Sequence, residues 1–529
     1  VRSIQEKYVV PALKTASARG LILVLGLSGF MPAAQAEGDQ PGKSPEPHHH
    51  EMQRPETQKT DAHANVSTAA PNPLPAASVT SHELQLPGRT LRFKATAGAI
   101  RLNDGQSGKP IADLSFVAFE LEGADKAKRP LTFAINGGPG ASSAWLDLGA
   151  LGPWRLPLDG TVPSTPPVTI DNAETWLDFT DLVFLDPPGT GYSRILSDND
   201  EVHKHFYSIN GDIDALSVAI RKWMTEHKRL DSPKFIVGES YGGFRAPKLA
   251  RKLEDKEGIG ISGLILVSPV LDFGWFESEN NPLTFATHLP SMTATARGLI
   301  GINSRASLAD VEAYARGPYI ADLLRGERDA EAQARIAGKV AAFTGLDEAL
   351  VKRLGGRIDP STFARERARA EGKIASQYDS LTTGFDPEPH DASSNHADPV
   401  LDAYKTPLAS AMADITANRL GWPVEARYEI LNESVNHQWD WSGRREAESL
   451  GDLKRFLALD PHTHVLIVHG LTDEVTPYFT SQLLIDQVPP MGDPNRLRLA
   501  VYGGGHMVYA KDASRAALHD EARKLVTGE

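Results

Sequence analysis

Gly238-Glu239-Ser240-Tyr241-Gly242-Gly243 decides how this chain reads. The apolar run at 234–237 (KFIV) precedes it as a buried strand, and a helical pattern follows. A Gly-x-Ser-x-Gly between strand and helix is a nucleophile elbow. The turn is so tight that small residues must flank the serine. It lifts Oγ above the sheet and turns backbone N–H groups toward the same point. Ser240 is the one serine with glycine at both minus two and plus two. Taken alone the pentapeptide is also consistent with an ordinary glycine turn, so its surroundings must decide.

Working outward, short apolar runs lie at Leu131–Ile135, Asp181–Leu185, 234–237, 264–267, 464–468 and Leu497–Tyr502. Runs of this length suit parallel strands buried on both faces. Between them, residues 210–227 place Ile213, Leu216, Ile220, Trp223 and Met224 on one helical face. Strand and helix in alternation predict an α/β fold with a mostly parallel sheet. Ahead of these runs, Leu91, Phe93 and Ala95, then Val117, Phe119 and Leu121, alternate with other residues as antiparallel strands do. From about Phe276 the rhythm breaks. Charged helical windows at 308–324, 330–342, 346–354 and 361–370, and a further one at 399–420, predict a helical insertion lying over the sheet. Aromatics cluster at 436–441 (NHQWDW), where they line a cleft or simply pack. The expected organisation is 81–275 for the first part of the core, 276–459 for the insertion and 460–529 for the second part.

Composition narrows the function. The chain has 529 residues, a net charge of −13 and no cysteine. That length supports a large core. The charge gives no general attraction to nucleic acid or an anionic membrane surface. Without cysteine there is no disulfide, thiolate metal site or cysteine nucleophile. Arg2, Lys7, Lys14 and Arg19 lead into an apolar run at 20–30 and an A-x-A site, Ala34-Gln35-Ala36. This reads as a signal peptide over 1–36, implying a periplasmic or secreted protein; the apolar run is shorter than the roughly 20 residues of a membrane span. Residues 37–80, rich in Pro, Ala, Ser, Thr and His, read as a disordered linker. Its His48-His49-His50 tract reads as solvated rather than metal-binding.

The chemistry-bearing residues follow the strands. A serine hydroxyl needs an imidazole to take its proton and a carboxylate to orient that imidazole. Ser240, Asp473 and His506 occur in the order Ser, acid, His, and each follows an apolar run. Glu474 is the rival acid and His469 the rival base. The loop after 131–135, Asn136-Gly137-Gly138-Pro139-Gly140, lets backbone approach a tetrahedral intermediate. Tyr241 N–H, with an N–H of this glycine loop, is the expected oxyanion hole. A phosphate cradle is excluded, because neither Gly-x-Gly-x-x-Gly nor a P-loop lysine is present.

These residues resemble the serine carboxypeptidases, α/β-hydrolase peptidases that remove C-terminal residues. Asn136-Gly-Gly-Pro-Gly-Ala-Ser-Ser143, Trp176 with Leu185-Asp-Pro-Pro-Gly-Thr-Gly-Tyr-Ser193, Gly238-Glu-Ser-Tyr-Gly-Gly243, Gly470-Leu-Thr-Asp473 and Gly505-His-Met507 carry the resemblance. It implies Ser240, Asp473 and His506 as triad, and Gly138 and Tyr241 as oxyanion donors. It implies Asn136 and Glu239 as the site for the substrate's terminal carboxylate, with no metal or organic cofactor and a peptide as substrate. A protonated Glu239 can donate to that carboxylate, which predicts tighter peptide binding at acid pH. Three positions depart from the family pattern: Ala150 replaces a second glutamate, Ala134 a tryptophan and Ala141 a cysteine. The same elbow and triad equally fit an esterase or acyltransferase. A non-catalytic envelope protein that binds through the cleft is the third reading. Oligomeric state is left open.

Overall fold

The computed structural model describes residues 73–158, 164–276, 280–391, 397–443 and 447–529. The expected signal, the histidine tract and most of the expected linker lie outside them.

Ten strands form one sheet: β1 (Ser78–Leu86), β2 (Arg89–Asn103), β3 (Pro110–Leu121), β4 (Leu131–Ile135), β5 (Asp181–Leu185), β6 (Arg194–Ile195), β7 (Lys234–Glu239), β8 (Gly263–Val267), β9 (His464–Gly470) and β10 (Leu497–Tyr502). Their spatial order is β1-β2-β3-β5-β4-β7-β8-β9-β10, with β6 paired to the far end of β3. The pairs β1/β2, β2/β3 and β3/β5 are antiparallel. From β5 to β10 every pair is parallel. The six apolar runs read from the sequence are these six parallel strands. The fold is the α/β-hydrolase type, as expected. One boundary differs: β1 begins at Ser78, inside the stretch expected to be linker. Only its last residues, Leu84 and Leu86, bury, so its alternation is too weak to read locally, and pairing with β2 orders the rest.

Successive residues along each parallel strand face opposite sides. Leu264 and Leu266 of β8 join one core, Ile265 and Val267 the other; Val465 and Ile467 of β9 separate from Leu466 and Val468 in the same way. Seven helices matter here: α1 (Ile209–Glu226), α2 (Tyr241–Lys252), α3 (Pro282–Ala296), α4 (Ala330–Thr344), α5 (Leu401–Asp414), α6 (Leu450–Leu459) and α7 (Asp512–Thr527). The apolar stripe of α1 packs on one face with Ala246 and Leu249 of α2. Leu518, Ala522 and Val526 of α7 cover the other.

The insertion divides in two. Phe285, Leu289 and Met292 of α3 build a third core with Leu308, Tyr319, Ile336, Val340 and Phe363, which Leu471, Tyr478, Phe479 and Val501 join from beyond the insertion. In contrast, Tyr404, Leu408 and Met412 of α5 join a sheet-face core, and so do Leu453, Phe456 and Leu457 of α6 on the opposite face. The span 276–459 drawn from the sequence therefore encloses helices that the sheet itself uses as cover. A short hairpin, Lys373–Ala375 with Thr383–Phe385, also interrupts the helices. Among the described residues no helix is long and apolar enough to cross a membrane.

Candidate active site

Ser240 stands between β7 and α2 with φ 60° and ψ −120°. A non-glycine residue held there costs of order 1–3 kcal/mol and persists only where its surroundings enforce it. Here they do. Ser240 N–H donates to Val267 O at 3.0 Å, and Ser240 O accepts from Gly243 N–H at 2.9 Å. A Cβ on Gly238 would lie 2.1 Å from Gly242 O, and one on Gly242 would lie 2.4 Å from Ile135 O. Both flanking glycines are thus required by close backbone approach, the physical content of the motif.

The loop after β4 lies against this turn. A Cβ on Gly137 would meet Tyr241 N at 2.5 Å, which puts the glycine loop beside the first amide of α2. Buried Arg245 of α2 pairs with Asp212 of α1 at 2.7 Å and donates to Asn136 O, tying loop and helix together. The insertion closes the other side: Asn432 N–H donates to Gly140 O at 2.8 Å and Ser142 N–H to Ile430 O at 3.1 Å.

Asp473 and His506 arrive on the loops after β9 and β10. His506 Nδ1 and Asp473 Oδ2 are 2.9 Å apart. Asp473 Oδ1 accepts from Val475 and Thr476 N–H at 2.8 and 2.9 Å. Burial opposes the Asp473 charge, but His506 and the Thr476 amide outweigh it and hold the carboxyl below its ordinary pKa. Burial likewise opposes the His506 charge. Asp473 outweighs it, with help from Glu239, and the imidazole pKa stands above its ordinary value. Glu474 does not engage the imidazole: neither carboxyl oxygen has a hydrogen-bond partner, and burial beside Asp473 pushes its pKa well above the ordinary value. His469 is buried, its Nε2 on Ser481 Oγ at 2.8 Å and its pKa pushed down by burial to about 4.

Asn136, Gly138, Glu239, Ser240, Tyr241 and His506 all line one cavity of about 270 Å3, with Asp473 behind the imidazole. Its remaining walls include Trp145, Val270, Phe273, Phe276, Tyr378, Leu401 and Leu431. Residues more than 350 positions apart are therefore neighbours. Burial raises the Glu239 pKa to about 7, against the pull of His506, Tyr509 and Asn136. Asn136 Nδ2 donates to Glu239 Oε2 at 2.9 Å, and Tyr509 OH donates to the same oxygen at 2.8 Å.

Several contributors escaped the sequence reading. Thr476 donates from Oγ1 to Asp473 Oδ2 at 2.8 Å; its spacing three residues after an aspartate was a local signal. Ser268 Oγ donates to His506 O at 2.7 Å, and Tyr378 from the insertion packs edge-on against the His506 ring at 5.2 Å. Nothing local marks these two, or Tyr509. Ala134, Ala141 and Ala150, the three departures from the family pattern, are all buried in the core.

A family model described as serine carboxypeptidase matches residues 87–293, the segment carrying the glycine loop and the elbow. That segment is similar to the serine carboxypeptidases. Pheromone-processing carboxypeptidase kex1 of Schizosaccharomyces pombe is 30% identical over 206 residues, 38% of this chain and 36% of that protein. Serine carboxypeptidase-like 13 of Arabidopsis thaliana is 32% identical over 158 residues, 29% of this chain and 34% of that protein. The chain thus spans about a third of the length of these curated relatives. The crystal structure of Kex1, a prohormone-processing carboxypeptidase from Saccharomyces cerevisiae, superimposes with a TM-score of 0.52 at 16% identity. That match covers 81% of this chain and 91% of that one, and it shows a shared fold. Asp473 and His506 lie beyond the family-model match, so their assignment rests on chain order and geometry.

Proposed function

We propose that this protein is a serine carboxypeptidase that releases C-terminal residues from peptides through an acyl-enzyme on Ser240. Its relatives and its site support that reading together. His506 takes the Ser240 proton as Oγ attacks the last peptide carbonyl, and Asp473 orients the imidazole. The tetrahedral oxyanion faces the Gly138 and Tyr241 amides. The C–N bond then breaks, His506 gives its proton to the departing amine, and the terminal residue leaves. Water, deprotonated by His506, attacks the ester and releases the shortened peptide, and the proton returns to Ser240.

One observation favours an exopeptidase over another acyl chemistry: the buried carboxyl of Glu239, adjacent to the nucleophile and lining its cavity. With a pKa of about 7 it is protonated in mild acid and donates to a substrate carboxylate; once ionised it repels one. Asn136, bonded to it, shares that subsite. The cavity walls are apolar and aromatic, and Glu239 is the one ionisable carboxyl lining it among the described residues, which suits apolar side chains around the scissile bond. The basic lead and short apolar run at 1–36, read as a leader, support action outside the cytoplasm, in a periplasm or the medium.

The test is mass spectrometry of a peptide library after digestion by wild type and Ser240→Ala. Stepwise loss of single C-terminal residues, absent in the variant and blocked by C-terminal amidation, supports the reading. Internal cleavage, or ester turnover with no loss of terminal residues, overturns it.

A further inference from the structure

Glu239 is held by two side chains among the described residues, and both bond the same oxygen. Asn136 Oδ1 accepts Leu146 N–H at 3.0 Å, so the amide orientation is set and Nδ2 must donate to Glu239 Oε2. Tyr509 OH donates to that oxygen from the opposite chain segment. Burial pushes the Tyr509 hydroxyl well above its ordinary pKa, so it remains a donor throughout the range in which Glu239 titrates. When the carboxyl is protonated, the oxygen that already accepts two hydrogen bonds is its carbonyl-like one. The proton is left to Oε1.

The placement of Tyr509 is built in. It lies in the single turn Val508–Ala510, three residues past His506, and is fully buried. Its ring packs so closely on Gly149 that a Cβ there would come within 2.4 Å of Cε2. The loop that delivers the imidazole to Asp473 therefore also delivers a phenol to Glu239.

We propose that Tyr509 is a positioning residue for the substrate's terminal carboxylate: with Asn136 it holds Glu239 Oε2 and so directs the proton on Oε1 toward the bound carboxylate. The substrate half of this inference rests on the carboxypeptidase reading; the place of the proton does not. The titratable groups facing Glu239 are His506 on the same loop as Tyr509, Asp473 behind it, and Tyr378 from the insertion.

The experiment compares wild type, Tyr509→Phe, Glu239→Gln and the double variant. Infrared difference spectra across pH 5 to 9 follow the protonated Glu239 carboxyl, identified by its loss in Glu239→Gln. Losing a donor that favours the carboxylate should move the midpoint up by about one pH unit in Tyr509→Phe. In kinetics at pH 5.5 with a peptide bearing a free carboxylate, Tyr509→Phe should raise KM about tenfold with kcat within about threefold. On the Glu239→Gln background, where the amide fixes donor and acceptor by itself, Tyr509→Phe should change KM less than about twofold. An unmoved midpoint in folded Tyr509→Phe, or an equal KM loss on both backgrounds, overturns the proposal. A wild type that releases no terminal residue removes the carboxypeptidase reading, while the infrared titration still decides the role of Tyr509.

Discussion

Replacing Glu239 by glutamine should change how stability depends on pH. The carboxyl has a pKa of about 7 in the fold against an ordinary value of 4.5. Below about pH 4.5 both folded and unfolded chains hold the proton. Between there and pH 7 the folded chain alone holds it, so stability falls as pH rises through the window. Above pH 7 the fold must carry a buried carboxylate beside Tyr509 and Asn136, and the full difference, about 3 kcal/mol, has been lost. Glutamine keeps the shape and the two accepted hydrogen bonds and cannot titrate. Asp473, His506 and every other ionisable group are common to both proteins and largely cancel in the comparison. Urea unfolding followed by tryptophan fluorescence at pH 5, 6, 7 and 8 gives the stability of each. Wild type minus Glu239→Gln should fall by about 2.5 kcal/mol between pH 5 and pH 8. Curves that stay parallel within about 0.5 kcal/mol over that range would mean Glu239 titrates as an ordinary surface carboxyl. Glu239 would then hold no proton to donate to the substrate near neutral pH.

The two adjacent acids separate cleanly. Asp473→Asn should lower kcat about 10^4-fold by leaving His506 in the wrong tautomer, whereas Glu474→Gln, which replaces a buried acid that bonds nothing in the site, should keep kcat within about threefold; the reverse pattern in peptide turnover would exchange their roles. Gly137→Ala should lower kcat at least about a hundredfold by forcing the glycine loop away from Tyr241 N and Glu239 O, with circular dichroism used to verify folding. Arg245→Leu should cost about 3–5 kcal/mol in urea unfolding, because Asp212 would be left buried without its partner; a loss below about 1 kcal/mol would show that the pair contributes little.

The extent to which the site was legible differs by residue. Ser240, Asp473 and His506 could be read as candidates because each sits just past a strand whose apolar run is local, and because this fold presents such residues in one order. Tyr241 and the glycine loop followed as candidate oxyanion donors, since a glycine loop and an elbow are local devices, and the family resemblance singled out Gly138. The insertion was legible as helical but not as two parts. Whether α5 and α6 cover the sheet or stand apart depends on which apolar face they meet, and an amphipathic stripe is the same in both cases.

The amino-acid order alone determined the parallel strands, the elbow and the candidates for the chemistry. Periodicity, tight-turn glycines and strand-end loops are properties of a few consecutive residues. Tertiary structure alone decided that Asp473 rather than Glu474 meets the imidazole. It decided too that Ser268 and Tyr378 brace His506, and that Tyr509 reaches Glu239 across 270 positions of chain. Those outcomes depend on how loops from distant strands pack at one end of the sheet, and burial, which sets the proton on Glu239, exists only once they have done so.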